Sequence, residues 1–227
     1  GAWALLTSAK TDGAVAGGLR LIDYELTQHT NVDGRWAHLQ PDDLWEAVDD
    51  EGQPYMEPDG VILSDPGHAL EFVGLALKFI NAAEPVASAA QRRRLADARS
   101  HMSRLLVRNF NNGYLPGPQG ISKAFDLVSR RQLNTDMPWW NLPETMRAAA
   151  FALELGPREP ILEIIRRCSN AYLGQYVNPL VHMMAFQTRD AAGKPVAVIP
   201  ATPDADPGYH TGLSIIDFLG RLGSSFE

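Results

Sequence analysis

Three long connections constrain what this chain can fold into more than any single motif does. Apolar residues recur at helical spacing along most of the 227 residues, interrupted at roughly 29–64, 111–141 and 178–206. Connections of that length far exceed the usual few residues. Each leads into a strongly apolar segment, near 66–80, 142–155 and 207–222. The intervening segments, Gln91–Phe110 and Glu159–Tyr176, are amphipathic, and the connections at 81–90 and 156–159 are shorter. Helices that alternate up and down, with every long loop at one end, describe an all-α toroid of helical hairpins. Its apolar helices form the inner ring and its amphipathic ones the outer ring. A functional site belongs on the long-loop face, where loops rest on a rigid scaffold and the inner-helix N-termini open.

Local signals agree with that plan. Ala14–Thr27 carries Leu19, Leu21, Ile22 and Leu26 at helical spacing, and Trp3–Lys10 reads as the end of an interrupted helix. Asp65-Pro66 opens the first apolar helix with an Asp cap and a Pro at the first helical position. Gly156-Pro157 closes Asn141–Leu155. Strand signals are few, at Val196–Ile199, Leu115 and Phe125–Val128, inside loops able to form hairpins.

Composition removes several classes. Twenty Lys and Arg against 27 Asp and Glu give a net charge of −7, and the one dense basic run, Gln91-Arg92-Arg93-Arg94, is a single helical turn. Nucleic acid is not an expected partner. No apolar run approaches the roughly 18 residues of a membrane span. The single cysteine, Cys168, precludes an internal disulfide and a Cys-rich zinc site, and suits a reducing, cytoplasmic compartment. Lying mid-helix with no paired base, it is expected to be inert core. No Walker, Rossmann, HExxH or GxSxG pattern occurs.

Three constellations stand at the starts of the apolar helices. In Asp65-Pro66-Gly67-His68-Ala69-Leu70-Glu71, His68 falls in the first turn, with Glu71 one turn further on the same face. The positive end of the helix dipole disfavours imidazolium, so His68 is expected to be neutral near pH 7 and able to act as a general base. A first-turn His bonded to a loop carbonyl, with Glu71 answering the dipole, fits equally. In Trp139-Trp140-Asn141-Leu142-Pro143-Glu144, Asn141 and Glu144 fit a capping box. The paired indoles fit either a sugar-stacking platform or core. Tyr209-His210 follows Asp206-Pro207-Gly208 at the third start, where a surface His is the simplest alternative. His29, His38, His101 and His182 have no comparable placement.

These residues together resemble the N-acylglucosamine 2-epimerase family. Pro66-Gly67-His68-Ala69-Leu70-Glu71 is similar to its PGHxxE signature, Trp139-Trp140 with Glu144 to its WWxQxE segment, and Tyr209-His210 to its C-terminal Phe-His. The resemblance spans most of the chain. It departs at Phe72, where many members have Trp, at Leu142 in place of Gln, and at Thr211-Gly212-Leu213 in place of Val-Pro-Arg. Positions that help hold sugar hydroxyls are among these, so the resemblance leaves the sugar open.

The resemblance implies an (α/α)6 barrel and proton transfer at C2 of a ring-opened aldose. His68 and His210 would be the catalytic pair, and Glu71, Trp139, Trp140 and Glu144 would hold substrate or orient the imidazoles. The C2 proton is acidic because the C1 carbonyl can become an enediolate. Return to the opposite face of C2 epimerises the sugar, and return to C1 isomerises it. Neither a metal nor a redox cofactor is called for, and the expected ligand is a small sugar. A glycoside hydrolase using Asp65, Glu71 or Glu144 is the alternative enzyme, and a catalytically degenerate sugar-binding module the alternative outside enzymes. At roughly 30 residues per helix with its loop, twelve helices need on the order of 360 residues. Residues 1–227 therefore read as a single domain that is the C-terminal portion of such a barrel, with a second copy or the remaining half of the ring as its expected partner.

Overall fold

A computed structural model describes residues 12–178, 180, 183–184, 187–196 and 208–223. Among these described residues, six α-helices carry the fold: α1 (Asp12–Gln28), α2 (Pro66–Ala83), α3 (Ala89–Gly113), α4 (Asn141–Ala152), α5 (Arg158–Ala171) and α6 (Gly212–Gly223). The stretch Trp3–Lys10 lies outside the described residues.

Burial separates two layers. α2 and α4 are covered nearly all round: Leu70, Val73, Leu77 and Ile80 of α2 and Leu142, Ala148, Ala149 and Ala152 of α4 are at most 1% exposed. α3 and α5 bury single stripes, Leu95–Met102–Leu105–Leu106 and Ile161–Ile164–Cys168, as amphipathic outer helices should. α4 sits centrally, packing on α2, α5 and α6, while α1 rests mainly on α3. The inner layer is thus α2–α4–α6, and the outer layer α1–α3–α5. α6 departs from the expected apolar segment at 207–222. Among its described residues only Ser214 and Phe218 are buried, and Leu213, Ile216 and Leu219 are 46–66% exposed.

Caps set the helix starts. The Asp65 carboxylate accepts a hydrogen bond from the Gly67 amide at 2.9 Å, and Pro66 occupies the first helical position. Ser88 and Gln91 form a reciprocal capping box on α3. The Asn141/Glu144 capping box does not form, because both side chains are used elsewhere: Asn141 Nδ2 donates to the Ile121 carbonyl at 3.1 Å, and Glu144 enters an ion pair. α5 stops at Ala171 rather than Tyr176, closing in a π-turn over Tyr172–Tyr176.

The long loops fold together at one end. β1 (Leu63–Ser64), from the first loop, pairs antiparallel with β4 (Ala124–Asp126) of the second, and β4 pairs with β5 (Arg131–Asn134). A separate hairpin pairs β2 (Tyr114–Leu115) with β3 (Gly120–Ile121). Leu39, Trp45, Ile62, Phe125 and Leu127 make a small core under these strands. Buried Asp43 anchors the first loop to α3 and the second loop through Asn112 and Arg130, at 3.0 and 2.6 Å. Met137 and Arg189 exchange backbone hydrogen bonds, joining the second loop to the third. Of the strand signal at Val196–Ile199, Pro195–Val196 pairs with Thr188–Arg189, and the rest lies outside the described residues.

The seam between α2 and α4 is held close by missing side chains. A Cβ at Gly67 would overlap the buried Asn141 carboxamide, and one at Gly74 would stand 3.1 Å from Arg147 Nε and 3.3 Å from the Ala148 amide nitrogen. Gly67→Ala gains at most ~1 kcal/mol of helix propensity, against roughly 1–3 kcal/mol for overpacking a filled core. The variant is therefore expected to unfold at lower urea concentration than the wild-type protein. An equal or higher midpoint would show that the seam is not tight at this point.

Candidate active site

Trp140, the last residue before α4, organises the site. Its indole lies 5.5 Å from the His68 ring, nearly parallel at 21°, and 5.1 Å from the His210 ring at 32°. His68 comes from the first turn of α2 and His210 from the turn that enters α6. Helix starts far apart in sequence thus bring both imidazoles against one indole. Lys123 adds its ammonium 5.6 Å from the same indole. Trp140 is 8% exposed, and Trp139 lies within the main core at 2%.

Each histidine is held by carboxylates through Nδ1. His68 Nδ1 stands 3.0 Å from Glu46 Oε2 and 3.6 Å from Asp65 Oδ2. His210 Nδ1 stands 3.1 Å from Glu144 Oε1 and 3.7 Å from Glu71 Oε1. Glu71 therefore serves the distant histidine as well as lying one turn from His68 on its own helix.

The electrostatics around His68 include carboxylates that its own helix does not reveal. The Glu46 hydrogen bond raises the His68 pKa; burial opposes it, and Asp65 and the Glu46 charge add to it. The helix dipole, which alone favours a neutral ring, is outweighed by two carboxylates within 4 Å. Burial works against the Glu46 carboxylate, but the His68 hydrogen bond and charge, the Asp65 amide and Lys123 outweigh it and hold its pKa below the ordinary value. Burial raises Asp65 despite His68 and an ion pair with Lys123. Burial also raises Glu71, helped by the neighbouring Glu144 charge and opposed by His210 and Arg147.

From His210 runs a chain of buried and half-buried charges. Arg147, 1% exposed, pairs with the other oxygen of fully buried Glu144. Arg147 also lies 4.0 Å from Asp217 of α6, which Lys78 of α2 meets at 2.7 Å. The chain ties all three inner helices to one carboxylate. Glu71, Glu144 and His210 bring three ligating atoms within 4.8 Å of one another, the geometry a cation could use among the described residues. The guanidinium already on Glu144 supplies the positive charge that a cation would bring, which favours an imidazole–carboxylate relay.

A cleft of about 330 Å³ opens beside His68, lined by Glu25, His29, Trp45, Glu46, Glu71 and Phe72 among others. His29 therefore shares a cleft with His68, contrary to its dismissal on position alone. Its Nδ1 is 3.0 Å from the Trp45 carbonyl. Glu46, Lys123 and Asp217 carried no motif. The signal for Arg147 was present: a second charge one turn after Glu144, on an inner helix that is Ala-rich beyond it. Replacing Arg147 by Leu strands the Glu144 carboxylate in the core. Breaking a buried pair on one side typically costs about 3–5 kcal/mol, so thermal unfolding should shift far below wild type. A shift within a degree or two would mean that Glu144 finds another partner.

Comparison with known proteins bears on the fold and the family. No curated protein matches the chain in sequence. A cellobiose 2-epimerase from Bacillus thermoamylovorans superposes with a TM-score of 0.68 at 17% identity, over 97% of this chain and 50% of that one. A D-mannose isomerase gives 0.71 at 13%, over 95% and 52%, and a cellobiose 2-epimerase from Spirochaeta thermophila 0.68 at 14%, over 100% and 51%. At such identities the likeness is one of fold, and the chain spans about half the length of these structures. The sequence model of N-acylglucosamine 2-epimerase matches residues 28–212, most of the chain. That match takes in both histidines, Trp140 and all four carboxylates around them, and on it the chain belongs to the N-acylglucosamine 2-epimerase family.

Proposed function

We propose that this chain carries the proton-transfer site of a sugar epimerase or aldose–ketose isomerase, acting at C2 of a ring-opened aldose. The observation that carries the reading is the pair of imidazoles against Trp140, each with Nδ1 on a carboxylate, in a chain of this family. One histidine takes the C2 proton as the C1 carbonyl becomes an enediolate. The other returns a proton to the opposite face of C2, or to C1 in an isomerase. Glu144, fixed by Arg147, orients His210, and Glu71 is placed to meet a substrate hydroxyl or share that task. Trp140, with Trp139 beneath the surface, forms the wall against which both imidazoles rest.

A hydrolase built on Asp65, Glu71 and Glu144 is not favoured. Asp65 is spent on capping α2 and on Lys123, and Glu144 on Arg147. Residues 1–227 act, in this reading, as one domain making up the C-terminal portion of an (α/α)6 barrel, a role supported by half-length coverage of whole barrels. The small sugar is the partner. Among the described residues, no helix is long and apolar enough to cross a membrane.

Two measurements test the reading. Incubating the intact protein in D2O with N-acetylglucosamine, cellobiose or mannose should replace the C2 proton by deuterium in at least one sugar, seen as loss of its NMR signal. No exchange in any aldose would overturn the reaction. His68→Ala and His210→Ala should each slow exchange by about 10²- to 10⁴-fold, the usual worth of one general acid or base. Near-wild-type exchange in either variant would remove that residue from the mechanism.

A further inference from the structure

We infer that Glu46 is a positioning residue for the reaction proposed above: it receives the Nδ1–H of His68 and so fixes Nε2 of that ring as the nitrogen that hands a proton to C2. The inference rests on the two-histidine reading and assigns the two rings unequal parts in it.

Geometry carries the argument. An ionised carboxylate can only accept, so the 3.0 Å contact between Glu46 Oε2 and His68 Nδ1 places the hydrogen on Nδ1. The other oxygen of Glu46 accepts from the Asp65 amide at 3.2 Å, which pins the carboxylate to the start of α2 itself. Glu46 is thereby tied to the same helical turn that carries His68, although it comes from the first long loop. Its own backbone amide donates to the Leu63 carbonyl at 2.9 Å, just before that turn. The side chain is about one-quarter exposed and lines the cleft with His68, whose own side chain is half exposed.

Every charge around His68 bears on the outcome. Glu46 from the loop and Asp65 at the helix cap favour imidazolium, and Glu71 lies one turn along the same helix. Lys123, from the turn after the short hairpin, opposes imidazolium, while Glu25 and His29 face it across the cleft from the α1 side. With its Nδ1–H committed to Glu46 and the nearer carboxylates favouring imidazolium, His68 takes the part of the proton donor. In that step the enediolate electron pair forms the new C2–H bond. The N–H pair stays on the ring, which becomes neutral imidazole. The proton already taken by His210 balances the account, and exchange with water resets both rings. In the reverse direction the two exchange parts.

The test uses the intact protein with Glu46→Gln and Glu46→Asp. Glutamine keeps the shape and removes the charge, so the His68 pKa should fall by about one unit. The imidazole NMR titration of His68, assigned by the resonance lost in His68→Asn, reads this directly and needs no turnover. The alkaline limb of the kcat/KM profile should move to lower pH by the same amount. Above that limb, a one-unit fall leaves about tenfold less of the protonated donor. KM should stay within about threefold, and Glu46→Asp should restore much of the limb. An unmoved His68 titration, or a lowered kcat with an unmoved limb, would overturn the role of Glu46. If C2 exchange is absent in the wild-type protein, the reaction itself falls, while the NMR titration still decides whether Glu46 governs His68.

Discussion

A carboxylate and a guanidinium sit together in the middle of this protein with almost no access to water. Glu144 and Arg147 are one helical turn apart on α4, at 0% and 1% exposure, and neither could be there alone. Their pairing is what permits a charged site at the foot of an apolar layer. Asp217 and Lys78 extend it to α6 and α2, so the three inner helices share one ionic seam. Gly74 leaves room for the guanidinium to lie in that seam. Such pairs are weak evidence for stability, since well-packed apolar residues often do as well. Their worth here is positional: Glu144 cannot drift, and His210 is bonded to Glu144.

The two imidazoles inherit different surroundings from this arrangement. His210 faces a carboxylate anchored by a buried cation, deep in the seam. His68 faces carboxylates from a loop and a helix cap, near solvent and beside Lys123. The same residue type is thus supplied with two electrostatic settings by elements that approach from opposite sides of Trp140 in the sequence. A pair of titratable groups in unlike environments is what acid and base roles require.

Much of the architecture was legible because periodicity and loop length are properties of the chain itself. The apolar inner helices, the amphipathic outer ones and the common end for the long loops all follow from spacing. His68 and His210 could be singled out because they stand at helix starts, which the inner layer gathers on one face. What spacing could not supply was contact across loops. Glu46 sits in a stretch without regular structure, and nothing in its neighbours marks it. Its amide bond to the Leu63 carbonyl and its carboxylate bond to the Asp65 amide bring it to His68. The carboxylates that push the His68 pKa upward were hidden for the same reason: the dipole of its own helix is visible in sequence, and the carboxylate of a distant loop is not. The capping role of Asn141 and Glu144 failed because tertiary partners outbid a local motif.

Trp140 touching both imidazoles has an energetic corollary. Two residues that share one rigid neighbour cannot be perturbed independently, because a tilt of the indole that relieves one ring displaces the other. The histidines and the indole form a coupled unit in the thermodynamic sense, and substitutions within it will not add. Natural variation at any one of the three positions is then constrained by the other two. The tolerance of the site to change is set by the triplet, whose members stand at helix starts from residue 68 to residue 210.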